Sequence, residues 1–469
     1  MKSKPSRKPA ANPFSLAHDL LRSVDDETGS DGATDRAAVS DEAREAALRL
    51  LAALEYGRST RDGRSIDVAA GDSRTRDNRL ALLALAARFD RAFALPMRHA
   101  PGAFFFGAMA SPERFAIADH PAAGVGGRGL TFRRAFESCV GEAAEYLSFI
   151  ARGNEPATAH DGRGDLDASQ LAWIAAGLGL EDERQLDDVD WMVAQSISDR
   201  RIIRVPADLV LRRPASRRKA RRETGSMGVG AGPTREAAIL SGLLEVIERD
   251  AIALWWHGGV PARTVGEGLI DNPEFESFMS GLRGDSGRIW WLLDITTDLG
   301  VPAYAALSAE WDGRAVVAGF SAGLDARAAK RDAILEMCQM ELAQEMALTK
   351  LAQNGEDALS SQDRLWIARA RDLSLDAAPQ LLARAPARPV DGLPIAGDPL
   401  TAIVERLRGR ALDACVVDLT REDLAIPVVR VIVPGLQSTR PDWVTPRLAA
   451  AAESSGRSLD RIAEFTAPI

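Results

Sequence analysis

Ser226-Met-Gly-Val-Gly-Ala-Gly-Pro-Thr234 runs into Arg235-Glu-Ala-Ala238 and then into Glu245-Val-Ile-Glu248-Arg249-Asp250-Ala-Ile-Ala-Leu-Trp255-Trp256. The glycines give a loop, Thr234 is a good N-cap, and apolar residues at helical spacing follow it, so the stretch predicts a loop–cap–helix unit. Glu245 and Glu248 are spaced i,i+3 and share one face of that helix. Their neighbours Leu243, Leu244, Val246 and Ile247 are apolar. A carboxylate pair on an otherwise buried helix is costly unless something cationic neutralises it.

The same spacing occurs twice more. Gly129-Leu-Thr131 leads through Ala135 and Ser138 to Glu142 and Glu145. Gly323-Leu-Asp325 leads through Ala329 to Glu336 and Gln339. Counted from Gly129, Gly232 and Gly323, an Ala lies six residues on, a Glu thirteen on, and a Glu or Gln sixteen on. Thr131, Thr234 and Asp325 each stand where an N-cap belongs. Magnesium takes oxygen ligands, commonly one or two carboxylates together with substrate phosphates. Two such helices facing each other would supply Glu142, Glu145, Glu245 and Glu248 as metal ligands, a charge suited to ATP with two or three Mg²⁺. The third helix would add a carboxylate and an amide. A single Glu-x-x-Glu is normally a solvated face; three copies in one register argue for a metal–nucleotide role.

Composition narrows the remaining classes. The chain has 469 residues, 46% hydrophobic, enough for one large domain or several ordinary ones. A net charge of -9 argues against a chain-wide nucleic-acid footprint. Cys139, Cys338 and Cys415 are far apart and odd in number, against a disulfide framework or a zinc site. No apolar run reaches the roughly 18 residues of a membrane span, and the basic N-terminus lacks an apolar core. The expected location is the cytoplasm, with no membrane partner.

Residues 1–40 are polar and read as disordered, and 41–95 as an accessory region with helices over Asp41–Leu54 and Asn78–Phe93. From residue 96 to 469, short β-rich runs alternate with helical stretches: Ile202–Val205, Ile289–Ile295, Ala303–Leu307, Ala315–Phe320, Ala414–Leu419 and Val428–Val433. That texture is α/β or α+β. Residues 359–400 read as a surface helix and a loop. The basic run Arg212–Arg222 reads as a solvated loop, with contact to phosphate or to an acidic leader peptide as the sharper alternative. Trp255, Trp256 and His257 read as packing residues, and Cys139 and Cys338 as small buried hydrophobes.

Taken together these motifs resemble the YcaO family. The second unit is similar to its SNGxAxGxT…EAxxxGxxExxERDA segment, and the aliphatic run ending in Trp255-Trp256 is similar to its azoline-forming members. Gly127-Arg-Gly129 through Glu145 resembles the family's GKG…SxxxExxER, and Gly319 through Gln339 its third motif. Asp294-Ile-Thr-Thr-Asp298-Leu-Gly300-Val-Pro302 and Asp418-Leu-Thr420 through Ile426-Pro427-Val-Val-Arg430-Val-Ile-Val-Pro434-Gly435-Leu436 match two further segments. The resemblance spans about residues 96 to 440.

It implies an α+β fold of the YcaO type, with mixed sheets and three pseudo-repeated loop–helix units around an ATP site. It also implies ATP- and Mg²⁺-dependent activation of a peptide backbone amide by O-phosphorylation. Ser138, Glu142, Glu145, Glu245, Glu248, Arg249, Glu336 and Gln339 would then form the nucleotide and metal site. The expected reaction is cyclodehydration of Cys, Ser or Thr to azolines in a ribosomally made peptide. A thioamide- or amidine-forming enzyme and a non-catalytic nucleotide-binding accessory protein are the alternatives. Implied partners are the precursor peptide and a leader-peptide-binding protein, with homodimerisation left open. Three departures stand out: Tyr146 where the family's first motif has Arg, Met227 where SNG has Asn, and an ending Thr466-Ala-Pro468-Ile469 without a PxPxP tail.

Overall fold

The computed structural model describes residues 78–458, apart from 79–80, 83, 87, 96, 119, 154, 156, 159–161, 224, 266–272, 285, 388–397 and 441. The expectations for residues 1–77, including the helix over 41–54, and for the C-terminal ending lie outside the described residues.

The strands are β1 (Arg91–Leu95), β2 (Phe104–Ala110), β3 (Ala123–Gly129), β4 (Ala157–Thr158), β5 (Trp191–Ser196), β6 (Ile202–Pro206), β7 (Val229–Ala231), β8 (Arg263–Thr264), β9 (Ile289–Asp294), β10 (Ala303–Ala309), β11 (Val317–Ala322), β12 (Cys415–Asp418) and β13 (Val428–Ile432). The helices are α1 (Phe132–Phe149), α2 (Ala168–Leu178), α3 (Ala207–Val210), α4 (Arg235–Trp256), α5 (Pro273–Arg283), α6 (Ala326–Asn354), α7 (Ser361–Asp372), α8 (Pro399–Arg408) and α9 (Pro446–Ser454).

Among the described residues these strands form three sheets. One runs β1-β2-β3, a second β11-β10-β9-β8, and a third β4-β5-β12-β13-β7 with β6 on β5. Helix α1 packs on β2 and β3, α4 on β7 and β13, and α6 on β10 and β11. The expected α+β class holds, but the sheets are not mixed. Every described ladder is antiparallel, and parallel pairing occurs only at isolated bridges such as Ile150 with Arg212. Neighbours such as β9, β10 and β11 are joined by short turns, which return the chain in the opposite direction.

The six expected β-runs all fall on strands. The helix expected over 78–93 does not reach its end, because Arg91–Leu95 is a strand paired with Phe105–Met109. The expected boundary at 95/96 therefore separates β1 from a sheet it belongs to. Strand β3, with the sequence AGVGGRG, carried no strand signal. It pairs along its whole length with β2 because its glycines let α1 lie close. A Cβ on Gly127 would run into the Ala135 carbonyl and the Cys139 amide.

Candidate active site

The three Glu-bearing helices start in the same way. The side chains of Thr131, Thr234 and Asp325 accept from the backbone N–H of Arg134, Ala237 and Arg327. Each first glutamate then accepts a backbone N–H from the preceding strand or loop. Glu142 accepts from Gly126 at 2.9 Å, Glu245 from Gly228 at 3.0 Å, and Glu336 from Phe320 at 2.8 Å. These bonds fix one carboxylate oxygen of each glutamate.

The second members join one unit to the next. Glu145 of α1 accepts from Ala231 N at 2.7 Å, at the end of β7. Gln339 of α6 accepts from Arg128 Nη1 of β3 at 2.9 Å, and Arg128 Nη2 lies 3.6 Å from Glu336. Arg249 Nη1 lies 3.2 Å from Glu248, and its Nη2 3.4 Å from Glu245. Ser138 lies one turn before Glu142 and is exposed. The structure thus brings α1, α4 and α6 to one cleft, with Glu142, Glu145, Glu245, Glu248, Glu336 and Gln339 on its walls.

The electrostatics follow from crowding. Solvent reaches Glu142, yet protein atoms surround it, as in the wall of a cleft. Burial pushes its carboxyl up to about 7, and the charges of Glu336 and Glu245 add to the rise while Gly126 N–H and Arg128 oppose it. Burial also raises Glu248 to about 7, against the pull of Arg249 and with the push of Glu336 and Glu245. Glu145 is raised well above the ordinary carboxylate range by burial, and Glu245 and Glu142 push the same way. Burial works against the charge on Arg249, but Glu248 and Glu245 override it and raise its pKa.

Two cationic contributors escaped the sequence reading. Arg128 bridges β3 to α6 as described. Arg430 of β13 is buried, donates to Gly225 O at 2.8 Å and lies over the Phe149 ring at 5.4 Å. Burial pulls its pKa down to about 10, opposed by Glu245. The sequence signal was an arginine inside the apolar run Val428–Ile432. Five carboxylates thus meet Arg128, Arg249 and Arg430, so that full ionisation leaves negative charge in excess. Among the described residues no three carboxylates, thiols or imidazoles close on one point as a ready-made ion cage. Such a wall suits Mg²⁺, which takes one or two carboxylates and fills its other positions with water and phosphate oxygens.

The remaining expected residues are accounted for. Tyr146 donates to Pro121 O at 2.6 Å rather than meeting a glutamate. Met227 packs on the apolar cluster beneath α4. Trp255 and Trp256 are buried, and His257 Nε2 lies 3.2 Å from Thr439 O. Cys139 and Cys338 are buried, and burial raises both thiols. Much of the basic run is paired. Arg212 pairs with Glu223, Arg213 with Asp208 and Asp190, Arg221 with Glu181, and Arg222 with Asp442. No helix among the described residues is long and apolar enough to cross a membrane.

The family model for YcaO cyclodehydratase, ATP- and Mg²⁺-binding, matches residues 126–437. An uncharacterised protein of Methanothermobacter thermautotrophicus is 29% identical over 343 residues, covering 69% of this chain and 85% of the relative. A heterocyclase solved in complex with substrate and cofactor superposes with a TM-score of 0.64 at 23% identity, over 82% of this chain. This chain spans about half of that heterocyclase, 54% of its length. The YcaO protein of Methanopyrus kandleri, solved with AMPPCP and Mg²⁺, superposes with a TM-score of 0.54 at 20% identity, covering 77% of this chain and 91% of that one. The match over residues 126–437 takes in all three glutamate helices, and the chain belongs to the ATP- and Mg²⁺-binding YcaO family.

Proposed function

We propose that this protein activates a backbone amide of a ribosomally made peptide by O-phosphorylation, forming azolines from Cys, Ser or Thr. The observation that carries the reading is the convergence of Glu142, Glu145, Glu245, Glu248 and Glu336 from three helices on one cleft with too few cations to neutralise them. Glu142, Glu145, Glu245 and Glu248 would hold Mg²⁺, and Ser138, Arg249, Glu336 and Gln339 would complete the nucleotide site. ATP with Mg²⁺ would supply a phosphoryl group that turns the amide oxygen into a leaving group, with the metal offsetting its charge. Within the cleft, the N–H groups of Gly126, Gly228 and Phe320 hold three carboxylates in fixed orientations before any ligand arrives. Arg249 limits the repulsion between Glu245 and Glu248, and Arg128 ties the α6 wall to β3.

A leader-binding protein is proposed as partner, as the resemblance to the family implies. The test combines full-length protein, a Cys/Ser/Thr-rich precursor peptide, the leader-binding protein, ATP and Mg²⁺. Phosphate release coupled to a peptide mass loss of one water is the expected result. Exchange of oxygen for sulfur would move the product to a thioamide. No phosphate with any peptide would leave an accessory nucleotide-binding role.

A further inference from the structure

A second pocket lies beyond the carboxylate cleft. Its volume is about 310 Å³, and its floor is apolar: Ala251, Leu254, Trp255, Val260, Ala262 and Ala451. Its polar wall carries Arg263, Thr296, Thr297, Asp298 and Arg447. Ala251 and Trp255 follow Glu248 by three and seven residues along α4, so they continue its face. Trp255 therefore sits about 10 Å further along the helix axis, a reach of about three extended residues.

The walls are fixed in place. Trp255 Nε1 donates to Gln380 O at 3.1 Å. Arg447 Nε bridges both oxygens of buried Asp250, at 2.9 and 3.0 Å, and its Nη1 donates to Asp298 at 3.3 Å. Asp298 also pairs with Arg410 at 3.3 Å. Thr296 and Thr297 spend their hydroxyls on the β9–β10 connection. Arg263 is different. Its backbone is held by pairing with Asp294 and Ala385, yet its half-buried side chain makes no hydrogen bond or ion pair among the described residues. The one acid lining the pocket, Asp298, is matched by Arg447 and Arg410, which leaves Arg263 as the lining cation without an ion pair among the described residues.

An apolar floor with one surplus guanidinium is complementary to an aliphatic or aromatic group that carries one carboxylate, which a guanidinium receives through two parallel hydrogen bonds. A pocket at the small end of ligand cavities, which run from about 300 Å³, receives a chain end rather than a strand passing through. We propose that it binds the C-terminal residue of the peptide substrate, with the side chain on the floor and the α-carboxylate on Arg263. This rests on the peptide-modifying reading above and adds a substrate class to it: peptides with a free, apolar C-terminal residue, modified a few residues upstream.

The test uses full-length protein and two probes, acetyl-Ala-Ala-Leu as free acid and as C-terminal amide, titrated calorimetrically without ATP or Mg²⁺. The acid is expected to bind at least tenfold more tightly than the amide. Arg263→Gln should bring the two within twofold, and Arg263→Lys should keep part of the preference. Equal affinities in the unmodified protein, no binding of either probe, or an unchanged preference in Arg263→Gln each overturn the assignment. Because the titration needs no turnover, it separates the two readings. Acid-selective binding without phosphate release from any peptide would leave the pocket standing and remove the reaction.

Discussion

Glu245 shows how one side chain can hold both a local and a functional role. One of its oxygens accepts from Gly228 N, and the other faces Arg249 and the neighbouring carboxylates. Glu245→Gln keeps an acceptor for Gly228 while removing the charge. It is expected to lower kcat/KM for ATP use at least ~100-fold, about 2.7 kcal/mol, with a melting temperature equal to or above that of the parent. Full activity, or loss of the fold, would remove it from the metal site. Arg447 makes the opposite case. It neutralises Asp250, which is fully buried and whose carboxyl burial already raises. Arg447→Ala leaves that charge stranded and should cost about 3–5 kcal/mol in urea unfolding at pH 8. The loss should shrink at pH 5, because a protonated Asp250 needs no counter-charge; an equal loss at both values would contradict this account. The glutamates were legible in the sequence because their spacing repeats. Arg128 and Arg430 were not, because their partners lie far away in the sequence, 208 residues for Arg128 and Glu336 and 205 for Arg430 and Gly225.

At the scale of elements, close contact between strand and helix aims the glutamates at the cleft. Gly127 on β3 and Gly230 on β7 each face a helix backbone, and a Cβ at either would collide with it. Neither obstacle is the far end of a flexible side chain, so the helix itself would have to move. Gly127→Ala and Gly230→Ala should each destabilise by about 3 kcal/mol or more in chemical denaturation, with loss of nucleotide binding in any folded fraction. Gly141, in the middle of α1, faces open space. Gly141→Ala should therefore stabilise by roughly 0.5–1 kcal/mol through helix propensity alone. If Gly127→Ala behaves like Gly141→Ala, close packing is not what places α1. Strand β3 was illegible for the same reason: the glycines that permit this approach are those that mark a loop in a sequence.

Across the whole molecule, three sheets and their helices concentrate acids that solvent alone does not neutralise. Glu142 and Glu248 hold protons to about pH 7 when folded, against an ordinary value of 4.5. A carboxyl raised in the folded state contributes stability that is complete below the unfolded value and is lost as pH rises between the two. The melting temperature of the ligand-free protein should therefore fall between about pH 4.5 and 7, once other groups are subtracted using Glu142→Gln/Glu248→Gln. Added Mg²⁺ with a nonhydrolysable ATP analogue should raise it more at pH 8 than at pH 6, since binding needs the carboxylates ionised. An equal rise at both values would argue against these glutamates as ligands. The sequence by itself determined the three caps and the register of Glu142/Glu145, Glu245/Glu248 and Glu336/Gln339, because capping and helical periodicity act over a few residues; its texture left α/β and α+β both open, and the resemblance to the family chose α+β. Only the tertiary structure decided that the ladders are antiparallel, that β1 belongs to the sheet of β2 and β3, that Arg430 feels the charge of Glu245, and that Arg263 makes no ion pair among the described residues. Those outcomes depend on which distant segments pack together, and charge balance in a cleft is a property of that packing.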